Sequence, residues 1–362
     1  MIVVIEDMEG FKSLETEWND LYSDNDFLPF QSYEYNFISW NDMLNNQQNS
    51  LFIICYYEEN AKQIGAIFPL YVDIRKCLRF INDSHTDFQT ALIRKKLRSS
   101  YSMFEEIFMY LYYKPKFNRF FLDNMMNDDS LLPYFGHFNR NVKIYRTKDY
   151  SIFEVKQHPE DKSYIDSLRH LTAKERNRLK NISKKMINVE FRILNITRGN
   201  EYPEDVINAI SQAMIKNGIR SKSYFTCSMY NFIRDLYNKG LLNVALIYDK
   251  GEVCSASLFY ICHENKYLIQ WIILYTDKKY NLWSKLKILE CFYNQGGGIF
   301  NFGRGAYPYK IQHFKPQISN LLCLDLSKSD SLRYRIQVKD NFELLSSIVK
   351  RFIHNKICAI HK

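Results

Sequence analysis

The sequence predicts an α/β fold in two lobes, each a mixed β-sheet flanked by helices. Three observations lead there. The 362 residues exceed one ordinary core and suit two domains of usual size. Short β-prone runs alternate along the whole chain with stretches of helical periodicity. A strand, short charged turn, strand unit also recurs over residues 51–70 and 244–259, with Ile64-Gly65-Ala66 in the first copy and Cys254-Ser255-Ala256 in the second. Any two hairpins share that much, so the repeat only supports the other two. The composition, 46% hydrophobic and 25% charged, is that of a globular chain.

The elements follow in order. Phe11, Leu14, Trp18, Leu21 and Tyr22 fall on one face of a helix over residues 11–22. The turn Leu28-Pro29-Phe30-Gln31-Ser32 leads to a helix over 33–45, with Ser32 as its N-cap. Residues 51–57 and 63–72 read as strands around a turn at 58–60, residues 100–113 as a helix, and 119–122 as a strand. In the second half, residues 160–186 carry helical signals and many charges, and 189–194 is strand-like. Helices are expected over 206–216 and 228–237, and strands over 242–248, 252–262 and 267–275, separated by turns at Asp249-Lys250-Gly251 and Asn265. A helix over 283–294 ends at Gly296-Gly297-Gly298, before a short strand over 299–302. The tail, 329–362, reads as an amphipathic basic helix with Leu344, Leu345, Ile348, Phe352 and Ile353 apolar, expected to pack on the body. The lobes are expected to divide at 1–155 and 156–362; no Pro-rich or low-complexity linker separates them, so they should pack together.

Several function classes drop out. No run approaches the roughly 20 apolar residues of a membrane span. The start Met-Ile-Val-Val-Ile-Glu-Asp has no basic leader ahead of a long apolar run, so the expected location is the cytoplasm. The eight cysteines form no CxxC pair, and His85, His137, His170, His263 and His313 are isolated, so no metal site is expected. There is no GxSxG, P-loop or GxGxxG. The net charge of +9 allows nucleic acid, a phosphorylated cofactor or a membrane surface as partner, or serves solubility alone.

The stretch 267–315 carries the chemistry. An aromatic strand ends at Thr276-Asp277, and the basic loop Lys278-Lys279-Tyr280-Asn281 leads to a helix beginning near Ser284. A strand feeding a helix N-terminus is an anion site, because free N–H groups and the helix dipole both face the ligand. Then come Asn301-Phe302-Gly303-Arg304-Gly305 and Tyr307-Pro308-Tyr309-Lys310, where glycines on both sides allow a turn that presents the guanidinium. Upstream, Arg169, Lys174, Arg176, Arg178, Lys180, Lys184 and Lys185 face a single acid, Glu175. That helix is either a solvated basic face or a grip on coenzyme phosphates or a tRNA backbone.

The order strand, Asp, loop, helix, glycine break, strand, Gly-Arg-Gly, Tyr-Lys resembles the C-terminal lobe of the CelD-like branch of the GNAT superfamily. Pro29-Phe30-Gln31-Ser32-Tyr33-Glu34 and Lys174-Glu175-Arg176-Asn177-Arg178-Leu179-Lys180 are similar to its N-terminal segment and its basic helix, so the resemblance spans about residues 15–320. It implies two GNAT-like lobes and transfer of an acyl group, acetyl foremost, from acyl-CoA to an amine, such as an amino sugar of a polysaccharide or cell-envelope precursor. Asp277 would orient or deprotonate the acceptor, and Tyr309 would protonate the leaving thiolate. Lys310 would neutralise developing charge, and Lys278, Lys279, Ser284, Arg304 and Arg176 would hold the coenzyme. Each has a plainer reading: Asp277 as a helix cap, Tyr309 as core, Arg304 and Lys310 as ion-pair partners. Two departures stand out. Asn281-Leu282-Trp283-Ser284 replaces a glycine-bearing pyrophosphate loop, and Asn301 replaces an acid. A second reading is therefore an aminoacyl-tRNA-dependent transferase of the FemABX type, also tandem GNAT-like, although the long coiled-coil arm seen in some of them is missing here. A third is a non-catalytic binding protein on a GNAT scaffold.

Overall fold

The computed structural model describes residues 1–328 apart from 25, 46, 59–62, 139–140, 187 and 306. The tail helix expected over 329–362 and part of the turn at 58–60 lie outside the described residues.

β1 (Ile2–Ile5) leads into α1 (Met8–Ser13) and α2 (Glu15–Ser23), which the hydrophobic pattern reads as one helix. An i→i+3 bond from Leu14 N–H to Phe11 O (3.2 Å) tightens the chain between them, and Phe11 still stacks on Trp18 at 5.7 Å. α3 (Tyr33–Ser39) starts where expected: the Ser32 hydroxyl accepts the Tyr35 N–H at 3.2 Å. The two β-prone runs that follow each change sheet midway. β2 (Ser50–Leu51) and β5 (Leu70–Val72) pair with each other, while β3 (Ile53–Tyr57) and β4 (Ile64–Phe68) pair elsewhere. Pro69, with no N–H to give a ladder, stands at the second crossing. β6 (Cys77–Phe80), β7 (Leu92–Ile93), α4 (Tyr101–Tyr113), β8 (Arg119–Met126), α5 (Leu131–Phe138) and β9 (Lys143–Val155) complete the first half.

In the second half α6 is Ala173–Lys184, shorter than the charged stretch suggests. The Thr172 hydroxyl and the Glu175 carboxylate form a capping box, at 3.3 and 2.9 Å, that starts it there. Then come β10 (Glu190–Leu194), α7 (Glu204–Lys216), α8 (Cys227–Asn238), β11 (Asn243–Asp249), β12 (Glu252–Cys262) and β13 (Tyr267–Tyr275). α9 (Lys278–Asn294) begins at Lys278, so the basic segment expected as a loop is its first turn. β14 (Gly298–Arg304), α10 (Pro308–Phe314) and β15 (Gln317–Ser327) close the described chain.

A small antiparallel sheet has the order β1-β3-β4-β7, and a large one the order β10-β11-β12-β13-β14-β9-β15-β8-β6-β5-β2. The large sheet therefore runs through both halves of the chain. β9, from the first half, lies between β14 and β15, and β15, from the second, lies between β9 and β8. Arg119 and Asp325 reinforce the β8–β15 seam with paired bonds of 2.8 Å. Apolar clusters fill both faces: one holds Trp18, Tyr35, Phe232 and Tyr260, another Phe80, Phe104 and Phe120, and a third Phe153, Phe300 and Phe314. Among the described residues no helix is long and apolar enough to cross a membrane.

Candidate functional site

β13 and β14 run parallel yet pair at only three positions, the last being Ile269 with Asn301. Past that rung they part. On one flank the ladder of β14 with β9 shifts register between Asn301 and Arg304, where Asn301 Oδ1 accepts the Gly303 N–H at 2.8 Å. Gly303, at φ +67°, makes the turn. On the other flank β13 bulges: Phe259 faces Gln270 and Leu258 faces Ile272, leaving Trp271 unpaired against β12. Its indole N–H instead donates to His85 O at 3.1 Å. The opening holds a cleft of about 460 Å³, walled by β13, β14, the start of α10, the segment after α7, and Ser84, His85 and Asp87 from the first half of the chain.

Arg304, Tyr309 and Lys310 line this cleft together. The Arg304 guanidinium is engaged on every side. Nε donates to Asp87 Oδ1 at 2.8 Å, Nη1 to Asn124 Oδ1 at 3.3 Å and Nη2 to Ser84 O at 2.9 Å. Lys310 is 2% exposed, and its ammonium donates to Phe302 O, Arg304 O and Gly305 O at 2.8, 3.0 and 2.8 Å. It pins the Gly303-Arg304-Gly305 turn from inside, and burial pulls its pKa down to about 8 despite the Asp87 charge. Burial pushes the Tyr309 hydroxyl pKa well above the ordinary phenol value, with Tyr307 adding to the shift. The Tyr307 and Tyr309 rings stack at 6.0 Å, and Tyr307 is 52% exposed at the cleft mouth.

The other residues singled out from the sequence lie elsewhere. Asp277 is exposed and is the N-cap of α9, its carboxylate accepting the Lys279 N–H at 2.8 Å. Lys278 is exposed; Lys279 is exposed too and lies 3.6 Å from Asp249 and over the Tyr280 ring. Ser284 is fully buried and shares a 2.8 Å hydrogen bond with the Ser255 hydroxyl. Arg176 is half-buried on α6 and donates to Leu171 O. Lys180 pairs with Asp166, while Lys174, Arg178 and Lys185 stay exposed on one face of that helix.

Sequence reasoning missed three residues here. Asp87 holds Arg304. Gln270 is 2% exposed in the cleft wall. Lys285 is wholly buried; its ammonium meets Asn281 and lies 4.4 Å from the Tyr309 ring centroid, and burial, with Lys310 nearby, holds its pKa well below the ordinary amine range. Lys285 had a legible signal. It interrupts the apolar stripe that continues through Ile288, Leu289 and Phe292 at helical spacing.

No protein-family model and no curated protein matches the sequence. Solved structures do. FemX is similar at 8% identity and a TM-score of 0.59, over 92% of this chain and 99% of that one. L-PGS from Bacillus licheniformis is similar at 10% identity and a TM-score of 0.58, over 93% and 96%. A conserved protein of unknown function from Bacteroides thetaiotaomicron follows at 7% and 0.55, over 90% and 100%. At these identities the likeness is one of fold. The chain shares the mixed α/β fold of these proteins over 90% or more of its length.

Proposed function

We propose that the protein is an acyltransferase that moves an acyl group onto an amine in the cleft between β13 and β14. The observation that supports this most is the parting of the two strands beside Arg304, Tyr309 and Lys310. A parted strand pair exposes main-chain groups to a ligand, and buried cations favour the negative charge that develops on an acyl oxygen during attack. Tyr309, holding its proton throughout the neutral range, suits protonation of the leaving group. Lys310 and Arg304 shape the turn that borders the cleft. The acceptor class, an amine such as an amino sugar of an envelope or polysaccharide precursor, rests on the CelD-like resemblance of the Gly-Arg-Gly and Tyr-Lys signature.

Acyl-CoA is the donor that resemblance implies, with Lys278, Lys279, Ser284, Arg304 and Arg176 as its ligands. Three observations favour the second reading, an aminoacyl-tRNA donor. The Asp277 carboxylate already takes one N–H at the N-terminus of α9 and sets a negative charge where a pyrophosphate would sit. Ser284 is sealed against Ser255. The exposed cations Lys174, Arg178 and Lys185 suit a phosphate backbone.

The test offers purified protein acetyl-CoA or a pool of charged tRNA, with an amine acceptor, and follows donor consumption by mass spectrometry. Consumption of one donor that Tyr309→Phe slows is the expected result. Folded protein that consumes neither, at any acceptor concentration, overturns the proposal and leaves the binding-scaffold reading.

A further inference from the structure

We propose that the Gln270 carboxamide is the group that receives the acyl carbonyl oxygen in this cleft, an assignment that rests on the acyl-transfer reading above. Gln270 is the first residue of β13 beyond the last rung shared with β14. The bulge at Trp271 follows it directly, a device that re-aims side chains beside functional sites. Its side chain is 2% exposed, yet among the described residues its Nε2 has no hydrogen-bond partner. Buried amide donors are nearly always satisfied, so an unpaired one in a cleft wall marks the place of an acceptor supplied from outside.

The other buried polar groups of the wall are already committed. Three cleft residues with polar side chains are under a tenth exposed: Asp87, Gln270 and Lys310. The Asp87 carboxylate receives Arg304, and the three Lys310 protons are taken by the carbonyls of Phe302, Arg304 and Gly305. Each guanidinium nitrogen of Arg304 donates one bond, to Asp87, Asn124 and Ser84, and Trp271 gives its N–H to His85. Gln270 is left as the buried donor still open. The turn of β14 presses against it: a Cβ on Gly303 would lie 2.6 Å from Gln270 O and 2.4 Å from Asp87 Oδ2. This close packing fixes the backbone from which the amide projects, and the nearby ammonium and guanidinium favour charge on the bound oxygen.

The step balances as follows. The amine lone pair attacks the acyl carbon, the C–N bond forms, and the C=O π pair moves onto the oxygen held by Gln270. Collapse restores the carbonyl and breaks the bond to the leaving sulfur or ribose oxygen. The proton lost by the amine nitrogen ends on that leaving atom.

Two measurements on Gln270→Met test this. An amide with no partner is better replaced by an apolar side chain of like size, so the unliganded variant should melt about 2–5 °C above the wild type. With whichever donor the wild type consumes, kcat should fall about 100-fold with KM little changed, and Gln270→Glu should be at least as slow, since a carboxylate repels the oxyanion. A lowered Tm, showing that the amide has structural partners, overturns the assignment, as does an unchanged kcat. If the wild type turns over neither donor, the acyl-transfer reading has failed and this assignment falls with it. If the wild type turns over and Gln270→Met matches it, this assignment alone fails.

Discussion

The Asp87 carboxylate takes both ends of Arg304: Oδ1 accepts the guanidinium Nε–H at 2.8 Å and Oδ2 the backbone N–H at 3.3 Å. A residue of the first half of the chain thereby holds the Gly-Arg-Gly turn of the second half. The pair is largely buried, with side-chain exposures of 7% for Asp87 and 19% for Arg304. Removing one partner strands a buried charge, so Asp87→Ala and Arg304→Ala should each cost about 3–5 kcal/mol in denaturant unfolding. The double variant should cost much less than the sum, and Arg304→Lys, which cannot reproduce the fork, should fall between. Additive losses would show that the two residues act separately.

Lys310 makes stability depend on pH in a defined direction. Its pKa is about 8 in the folded protein against an ordinary 10.5. Below pH 8 both folded and unfolded chains carry the proton, and the folded state bears the full burden of a buried ammonium. Between pH 8 and 10.5 the unfolded chain holds more protons, so stability rises with pH. The gain is present in full above 10.5 and lost as pH falls through 8. Wild type minus Lys310→Met unfolding free energy should therefore rise by about 3 kcal/mol across that window. A flat difference would mean that the three carbonyls hold the ammonium against burial.

Asp277 separates a cap from a catalyst. Asp277→Ala should lower stability by about 0.5–2 kcal/mol and Asp277→Asn by little, since asparagine caps as well. If Asp277 deprotonates the acceptor, Asp277→Asn loses activity while keeping stability. If it only caps α9, activity survives in both variants. Thermal melts and turnover on the same samples decide.

Gly303→Ala should be among the most damaging single substitutions. The backbone there is left-handed at φ +67°, and the added Cβ would meet a backbone oxygen of β13 at 2.6 Å. Strain and displacement together should exceed about 2 kcal/mol and slow turnover. A stable and active Gly303→Ala would show that the contact between β14 and Gln270 is dispensable.

Much of the fold could be read from local pattern. β11 to β13 are long apolar strands with Asp-Lys-Gly and Asn turns between them, α7 and α8 are legible as helical stretches, and α3 announces itself by its Ser32 cap. β9 could not be read that way. Lys143, Arg146, Lys148, Asp149 and Glu154 break any alternation, and the segment is a strand because β14 and β15 flank it. The start of α9 was hidden because its first turn is polar and its cap is a single Asp. In the site, Arg304, Tyr309 and Lys310 stood out by their glycine and aromatic surroundings, and all three meet in the cleft. Asp87 and Gln270 did not. Asp87 matters through a partner 217 residues away, and Gln270 through a missing partner, and neither leaves a mark on neighbouring sequence.

The place of β15 between β8 and β9 has a consequence for synthesis. Met126 finds its partner Leu321 only after about 195 more residues have left the ribosome, roughly 10–40 s at ordinary elongation rates. Throughout that interval the nascent first half presents three unpaired strand edges, one on β8 and both on β9, and the apolar face beneath them. Cutting the chain after residue 155 would make that transient state permanent. Each half expressed alone should therefore be captured by holdase chaperones or precipitate, and co-expression of the two should recover soluble material.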